Sequence, residues 1–396
     1  MVVVGAGPAG LAASSRLARG GCHHVVLERG RIGSTWRTQR WESFRLNTPQ
    51  WGNLVPGEFL DGRPDSFATA ESLVAGLERF AHGLPVFEGV EVFRAEKSGP
   101  VWRLDTSHGQ LVAGAVVVAS GFQNIPRRPD YADALPAEIE QLHAADFRRP
   151  GDLEGSVLVV GGGQSGVQIA EDLLDHGHDV YLSTSRVGRL PRRHRGRDAF
   201  EWLRDTGQLD LPTHQAEPAM ITATPPQVSG SARGRSISYQ GLANRGATLL
   251  GRALGWNGRR LELAPDLGAN VKFADGVSQS FRAAWDALAA ARGDGDLDAH
   301  RDPADEPAED LHHVRGPDSL DLGAAGISSV IWATGFGPST GWLPKNALDV
   351  AGHPRLSALH VIGAPWLTHR SSANLYGMVA DAERLASMYS GAALAA

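Results

Sequence analysis

The sequence is organised around a strand-turn-helix unit that begins at its second residue. The apolar run Val2–Val4 leads directly into a Gly-x-Gly-x-x-Gly turn, and the apolar spacing of residues 11–17 then predicts a helix. The turn consists of Gly5, Gly7, Pro8, Ala9 and Gly10. In such a turn the first glycine permits the bend, the second lets the backbone approach a pyrophosphate, and the third lets the helix pack on the strand. Because the helix N-terminus also presents free N–H groups, the unit predicts a dinucleotide site.

The decisive feature is that this unit occurs a second time. Residues 157–160 form another apolar strand, and residues 167–174 predict another helix. Between them lies the turn formed by Gly161, Gly163, Gln164, Ser165 and Gly166. A lone glycine motif is weak evidence, whereas two copies with their flanking strand and helix are strong evidence for two dinucleotide sites.

The end of the second strand in each unit indicates which dinucleotide fits. The first unit has Glu28 there, where a carboxylate accepts hydrogen bonds from a ribose 2′-OH and disfavours a 2′-phosphate. The second unit has Ser185 and Arg186 at this place, and a guanidinium accommodates a 2′-phosphate. The first site is therefore expected to bind FAD or NAD, and the second site NADP(H).

Length, charge and cysteine content exclude several other classes of protein. At 396 residues the chain is long enough for two domains, and its net charge of -6 argues against nucleic acid or an anionic membrane as a partner. No apolar run approaches the ~18 residues of a membrane span and no signal peptide is recognisable, so we expect a cytoplasmic protein. The histidine spacing predicts no metal site. The single cysteine, Cys22, excludes the cysteine pair that a flavin disulfide reductase needs.

A segment after the first unit resembles a known enzyme family. Residues 33–36 read Gly-Ser-Thr-Trp, and residues 43–49 read Ser-x-x-x-Asn-x-Pro. Together with the two turns, these motifs resemble those of the flavin-containing monooxygenases, especially of their bacterial and plant YUCCA-like branch. In that family the tryptophan-bearing loop passes beside the flavin, and the asparagine lies near the site where oxygen adds to it. The resemblance implies that Thr35, Trp36 and Arg37 contact the flavin.

The same resemblance makes Asn47 the candidate catalytic residue. Its side-chain amide could donate a hydrogen bond to the oxygen bound at the flavin or to the nicotinamide amide. The alternative is that Asn47 only caps the turn before Thr48 and Pro49, as asparagine often does.

Further cofactor contacts are implied by position within the family pattern. A small antiparallel meander is predicted between residues 86 and 112, and small residues end two later apolar strands. The additional candidate residues are Arg29, Val92, Ser120, Gly121, Ala333, Thr334, Gly335 and Gly363.

One motif of the family is only half present. The identifying pattern is Phe-x-Gly-x-x-x-His-x-x-x-Phe/Tyr, and His143 and Phe147 match it. Ala137 and Ile139 replace its phenylalanine and glycine. This departure leaves Baeyer–Villiger oxidation open beside N- and S-oxygenation. For His143 itself we expect a structural, hydrogen-bonded role.

The order of the strands predicts the domain organisation. The second unit lies between two strands that end in small residues, at 115–122 and 327–336, and both are assigned to the first domain. We therefore expect an α/β protein with two doubly wound, Rossmann-like dinucleotide-binding domains. The FAD domain would comprise residues 1–150 and 327–396, with an NADP domain of residues 151–326 inserted.

Other segments are less informative. The arginine-rich residues 190–198 are predicted to be a surface loop that could also wrap the 2′-phosphate. Residues 211–245 are predicted to form a long irregular segment with a function, although no ligand is assigned to it. A helix is predicted over residues 278–292. Residues 294–310 are predicted to be an acidic loop.

The resemblance implies a reaction with FAD, NADPH, O₂ and a small organic substrate. NADPH reduces the flavin, O₂ adds to it to give a C4a-(hydro)peroxyflavin, and one oxygen atom passes to the substrate, with N- or S-oxygenation expected and Baeyer–Villiger oxidation as the alternative. From another class, the chain could be a non-oxygenating FAD/NADP sensor or electron-delivery protein. The oligomeric state is not predictable from this sequence.

Overall fold

Each glycine turn follows a strand at the centre of a parallel sheet. The computed structural model describes residues 1–53, 62–230, 234–293 and 311–390. The first sheet contains five parallel strands, β1 (Val2–Val4), β2 (Val25–Glu28), β3 (Val86–Glu88), β7 (Val116–Val118) and β20 (Leu359–Val361). Their spatial order is β20-β7-β1-β2-β3.

Helices cover one face of this sheet, and a meander covers the other. The helices are α1 (Pro8–Arg19), α3 (Ala70–Phe80) and α9 (Met378–Ser387), which share a core with Val3. The antiparallel meander contains β4 (Val92–Ser98), β5 (Val101–Thr106) and β6 (Gly109–Ala113). Its Trp102 packs in a separate core with Val2 and Val4, so alternate valines of β1 face opposite layers. Such double burial explains why this strand is apolar at every position.

The second sheet repeats this architecture. Its parallel strands are β9 (Glu140–His143), β10 (Ser156–Val160), β11 (Val180–Ser183), β14 (Thr248–Leu250) and β18 (Ile327–Trp332). Their spatial order is β14-β11-β10-β18-β9. One face packs on α4 (Gln164–Asp175), α7 (Tyr239–Asn244) and α8 (Leu267–Arg292). The other packs on the antiparallel strands β15 (Ala253–Trp256), β16 (Leu261–Leu263) and β17 (Ser319–Leu320).

The predicted α/β fold with two Rossmann-like sheets is confirmed. One detail differs from a doubly wound arrangement, because antiparallel strands rather than further helices cover the second face of each sheet. The remaining short elements are α2 (Ser34–Thr38), β12 (Arg193–His194), β13 (Arg197–Asp198), α5 (Ala199–Asp205) and α6 (Pro218–Thr222).

The strand pairing corrects the expected domain boundaries. Strand β18 lies between β10 and β9 in the second sheet, where Val330 and Trp332 are fully buried, so it does not return the chain to the first sheet. The chain rejoins the first sheet only at Leu359, where β20 pairs with β7. Boundaries at 150/151 and 326/327 would therefore divide the second sheet, whose strands extend from Glu140 to Trp332. The sequence was ambiguous because one strand ending in small residues belongs to each sheet.

Two linkers cross between the sheets and pair with each other. Strand β8 (Ile125–Pro126) follows β7, β19 (Phe336–Gly337) follows β18, and the two are antiparallel. The Ser120 hydroxyl donates to the Ser339 carbonyl (2.6 Å), and the Thr334 hydroxyl donates to the Arg127 carbonyl (2.5 Å). These hydrogen bonds join each strand end to the opposite linker.

Two smaller expectations also change, and a third is not tested. Residues 86–88 form the edge of the first parallel sheet rather than part of the meander. Helix α8 begins at Leu267, well before the expected residue 278, because buried contacts of its first half compensate for poor helix formers such as Gly268 and Gly276. The acidic segment 294–310 lies outside the described residues.

A buried arginine joins the two units near Asn47. The Arg192 side chain is fully buried, and it donates to both carboxylate oxygens of Asp198 at 2.6–2.9 Å. Its Nη1 also donates to the backbone carbonyls of Asn47 (2.8 Å) and Ser229 (2.9 Å). Asp198 in turn caps α5 by accepting from the Phe200 N–H (2.9 Å). Arg192 is therefore an internal link between segments, and the expectation that residues 190–198 form a surface loop is wrong at this residue.

Replacing Arg192 should destabilise the fold strongly. Arg192→Met leaves the Asp198 carboxylate and two carbonyls without their donor in a buried place, so we expect a loss of about 3–5 kcal/mol in the free energy of unfolding. Urea unfolding measures it. The matched control is Arg315→Met, because the exposed Arg315–Asp318 pair should contribute less than about 1 kcal/mol. Equal losses for both variants would contradict the role of Arg192.

Candidate functional site

The two glycine turns have the same geometry. Gly5 and Gly161 have φ values of +108° and +120°, which favour glycine. A Cβ on Gly5 would lie 2.4 Å from the Ala119 carbonyl oxygen, and one on Gly161 would lie 2.5 Å from that of Ala333. Each first glycine therefore lets the turn pass directly beside the end of the neighbouring strand. The small side chains of Ala119 and Ala333 suit this close packing, because each Cβ would lie 3.3 Å from a Cβ on the third glycine of its turn.

The second and third glycines of each turn have different surroundings. A Cβ on Gly166 would lie 1.8 Å from the Gly161 carbonyl oxygen, and the equivalent distance for Gly10 is 1.9 Å from Gly5. By contrast, no atom lies within 4 Å of a Cβ on Gly163. Gly163 is the N-cap of α4 and no side chain caps this helix. The first N–H groups of α4 are therefore available to an anion, and Gly7 at the start of α1 is open in the same way.

The carboxylate of Glu28 is held rigidly beside the first turn. It is 7% exposed, Oε2 accepts from the Ala6 N–H (2.8 Å), and Oε1 accepts from the Gly30 N–H (2.9 Å). Each oxygen keeps a second lone pair that a ribose hydroxyl can use. The next residue, Arg29, is exposed.

The corresponding position of the second unit carries Ser185 and Arg186. The Ser185 Oγ accepts from the Gly162 N–H (3.2 Å), so this hydroxyl stabilises the turn. Arg186 is exposed, and its guanidinium lies over the ring of Phe273. The two sites therefore differ in charge as the sequence predicts, with an anionic group at the first and a cationic group at the second.

The sequence did not reveal several residues that support the second turn. The Gly162 carbonyl accepts from the fully buried Gln227 side chain and from the Tyr239 hydroxyl (3.0 Å). Burial raises the pKa of Tyr239 to about 12, so this hydroxyl keeps its proton. The Gln164 side chain exchanges two hydrogen bonds with the backbone of Val228 (2.8 and 2.9 Å). Gln227, Val228 and Tyr239, which lie in the long segment 211–245, thus support the turn, and only the unusual length of this segment signalled a function.

The predicted flavin loop begins beside the first turn. The Gly33 N–H donates to the Ala6 carbonyl (3.2 Å), and α2 with Thr35, Trp36 and Arg37 follows. The Arg37 Nε donates to the Ile32 carbonyl (2.9 Å), and its guanidinium pairs with Glu78 of α3. This side chain therefore has structural partners of its own.

Trp36 lies in an aromatic cluster at the end of this loop. Its ring is 6.0 Å from that of Phe44, and the Arg40 guanidinium lies 4.7 Å from its centroid. Burial lowers the pKa of Arg40 to about 10. Packing thus accounts for part of the role of Trp36.

Asn47 lies where the two units meet. Its Oδ1 accepts from the Gln168 Nε2 (3.1 Å), and Gln168 belongs to the second turn of α4. Its carbonyl accepts from Arg192, and Gly230 packs against Leu46 and Asn47 so closely that a Cβ on Gly230 would lie 2.9 Å from Oδ1. Because Oδ1 faces Gln168, the amide Nδ2 keeps its donors, and it has no hydrogen-bond partner among the described residues. Asn47 is thus tied to the helix that follows the second dinucleotide turn.

The other candidate residues lie at three places. Ser120, Gly121, Ala333, Thr334 and Gly335 end β7 and β18 and enter the linkers. Gly363 has a φ of +81° and lies against the first turn, since a Cβ there would be 2.9 Å from the Ala9 Cβ. Val92 begins β4, and its side chain is buried in the meander core.

His143 has the structural role expected for it. Its Nδ1 accepts from the Ala145 N–H (3.0 Å), which leaves Nε2 to donate to the Gly335 carbonyl (3.1 Å). Burial lowers the pKa of His143, so the neutral form persists at physiological pH. Both ring nitrogens are occupied within the linker region.

Two alanine substitutions in the second turn should separate folding from nucleotide binding. Gly166→Ala forces a methyl group against the Gly161 carbonyl, so we expect about 3 kcal/mol or more of destabilisation. Gly163→Ala should change the stability of the nucleotide-free protein by less than about 1 kcal/mol, because its Cβ meets no atom. It should nevertheless weaken NADP⁺ binding, since the methyl group occupies the approach to the pyrophosphate.

Urea unfolding and NADP⁺ titration of both variants measure these two effects. A Gly166→Ala variant that unfolds at the wild-type midpoint would contradict the close strand–helix contact. A Gly163→Ala variant with normal NADP⁺ affinity would contradict the placement of the nucleotide.

No helix in the described part of the chain is long and apolar enough to cross a membrane.

Comparison with known proteins is consistent with this geometry. The chain is 29% identical to an uncharacterized CzcO-like oxidoreductase of Geobacillus kaustophilus. This match covers 97% of the chain and 96% of that protein. It is 33% identical to the probable indole-3-pyruvate monooxygenase YUCCA3 of Arabidopsis thaliana over 50% of the chain and 49% of that protein. A flavin-containing monooxygenase structure from Stenotrophomonas maltophilia matches with a TM-score of 0.65, 19% identity, and coverage of 100% of this chain and 98% of that one.

The likeness to YUCCA3 confirms the predicted resemblance to the flavin-containing monooxygenases, and the family match and the CzcO-like relative confirm the coarser enzyme class, an oxidoreductase. The family match and these likenesses support the predicted cofactors, FAD and NADPH, and the acid at the first turn and the arginine at the second turn fit them. The model of the pyridine nucleotide-disulphide oxidoreductase family matches residues 2–206, slightly more than half of the chain, and the chain belongs to that family.

Proposed function

We propose that this protein is an NADPH-dependent FAD monooxygenase that transfers one oxygen atom from O₂ to a small organic substrate, by N- or S-oxygenation. The observation that carries the proposal is the position of Asn47, which is fixed to the second dinucleotide unit through Gln168 while its Nδ2 has no hydrogen-bond partner among the described residues. The likeness of half of the chain to YUCCA3, a probable indole-3-pyruvate monooxygenase, supports this chemistry.

The first unit is proposed to hold FAD and the second to hold NADPH. The open N-terminus of α1 would bind the FAD diphosphate, and the rigid Glu28 carboxylate would accept hydrogen bonds from its ribose. The N-terminus of α4 would bind the diphosphate of NADPH, with Arg186 beside the 2′-phosphate. Residues 140–332 then form the NADPH domain and the rest of the described chain forms the FAD domain.

The cysteine content argues for an external electron acceptor. Many enzymes with this pair of dinucleotide sites pass electrons from the flavin to a cysteine pair, but this chain contains only Cys22. Electrons that reach the flavin from NADPH must therefore leave to a molecule from solution, and O₂ is the acceptor we propose. The bound flavin supplies the oxygen chemistry, while the chain binds, orients and excludes water.

Isotope labelling tests this proposal directly. The protein loaded with FAD is supplied with NADPH, ¹⁸O₂ and a panel of amines, sulfides and ketones. We expect N-oxides or S-oxides that carry one ¹⁸O atom per NADPH consumed. Labelled esters from the ketones would instead show Baeyer–Villiger chemistry. NADPH oxidation without any labelled product would favour a non-oxygenating sensor or electron-delivery protein.

Asn47→Asp tests the proposed catalytic residue. The carboxylate keeps an acceptor for Gln168 and much of the turn propensity, but it removes the amide donor. One positioned donor is worth about 2.7–4 kcal/mol, so product formation should fall by roughly 10²–10³ while flavin reduction by NADPH stays normal and hydrogen peroxide is released instead. The measurement compares product, hydrogen peroxide and NADPH consumed.

The matched control is Asn257→Asp. Asn257 also stabilises a turn, because its Oδ1 accepts from the N–H groups of Arg259 (3.1 Å) and Arg260 (2.9 Å) in the exposed β15–β16 hairpin. This variant should keep the wild-type ratio of product to NADPH. If Asn47→Asp also keeps that ratio, Asn47 is only a turn residue.

A further inference from the structure

We infer that Phe273 is a specificity-determining residue that holds Arg186 in the orientation that selects NADPH over NADH. This inference rests on the proposed NADPH site. It concerns a residue on α8, a helix remote in sequence from the second glycine turn.

The contact itself is a cation–π stack. The Arg186 Cζ lies 4.4 Å from the centroid of the Phe273 ring, well within the range of such interactions. Arg186 is exposed, and no carboxylate among the described residues pairs with it. The guanidinium therefore keeps its full charge for a ligand.

The first half of α8 is fastened to the strand end that carries Arg186. The buried Asn270 Nδ2 donates to the Thr184 Oγ1 (3.1 Å). One turn beyond Phe273, Val277 packs on Gly188, where a Cβ would lie 2.7 Å from the valine Cγ1. Positions 270, 273 and 277 share one helix face, so contacts on both sides of Phe273 fix the ring beside residues 184–188.

A stacked guanidinium is well placed for a phosphate. The stack uses one face of the planar group and leaves the N–H donors at its edge free, and these donors bind phosphate oxygens in pairs. An arginine on an exposed strand end would otherwise lose much side-chain entropy on binding. Phe273 reduces that cost by limiting the orientations of Arg186 before the nucleotide arrives.

Three variants test the inference through binding of 2′,5′-ADP and 5′-AMP, measured by calorimetry on the FAD-loaded protein. Phe273→Leu keeps an apolar side chain but removes the aromatic face, so 2′,5′-ADP should bind about two- to fivefold more weakly while 5′-AMP is unaffected. Phe273→Tyr keeps the face and should restore wild-type affinity. Arg186→Ala should weaken 2′,5′-ADP by roughly ten- to a hundredfold and leave 5′-AMP nearly unchanged.

Phe281→Leu is the matched control. Phe281 lies further along the same helix and also packs near an arginine, with the Arg370 Cζ 5.9 Å from its ring. This variant should not change the ratio of the two affinities. Normal discrimination in Phe273→Leu together with a loss in Arg186→Ala would overturn the role of Phe273 alone. No loss in Arg186→Ala would place the 2′-phosphate elsewhere and overturn the proposed NADPH site as well.

Discussion

The buried guanidinium of Arg192 is the interaction on which the candidate site most depends. It joins the Asn47 loop of the first unit to Ser229 and Asp198 of the second, and its burial means that none of these contacts is replaced by water when it is removed. Asn47 is held from the other side by Gln168 of α4. These two contacts fix Asn47 between the units, which are also joined by the paired strands β8 and β19 and by the packing of Trp41 in the core of the second unit.

The two units share one arrangement of strand, turn and helix. They carry opposite charges after the second strand, the position proposed to discriminate between the nucleotides. In both, an alanine follows a strand, the first glycine of the turn packs on the alanine carbonyl, and the third glycine packs on the first. In both, helices cover one face of the sheet and three antiparallel strands cover the other. The difference lies in Glu28, which is bound by two backbone N–H groups, and Arg186, which stacks on Phe273. The two units therefore share one framework, and these few side chains are the ones proposed to divide FAD from NADPH.

The sequence predicted what depends on local pattern. The glycine turns, their helices and the contrast between Glu28 and Arg186 follow from residue types at fixed spacing, because steric exclusion at a turn acts over a few residues. Strand β18 was assigned to the wrong sheet, since a strand buried on both faces is apolar whichever neighbours it has. Gln227 and Tyr239 could not be found, because their partner Gly162 is more than sixty residues away and nothing in their own segment marks it. Arg192 looked like part of a surface loop because arginine is seldom fully buried.

The central claim is that the two nucleotides meet at Asn47, and a crystal structure of the protein with FAD and NADP⁺ measures it most directly. The account predicts the FAD diphosphate at the N-terminus of α1, the NADP⁺ diphosphate at the N-terminus of α4, and the Asn47 Nδ2 within hydrogen-bond distance of the flavin or the nicotinamide. A complex in which NADP⁺ binds away from α4, or in which Asn47 contacts neither cofactor, would contradict it.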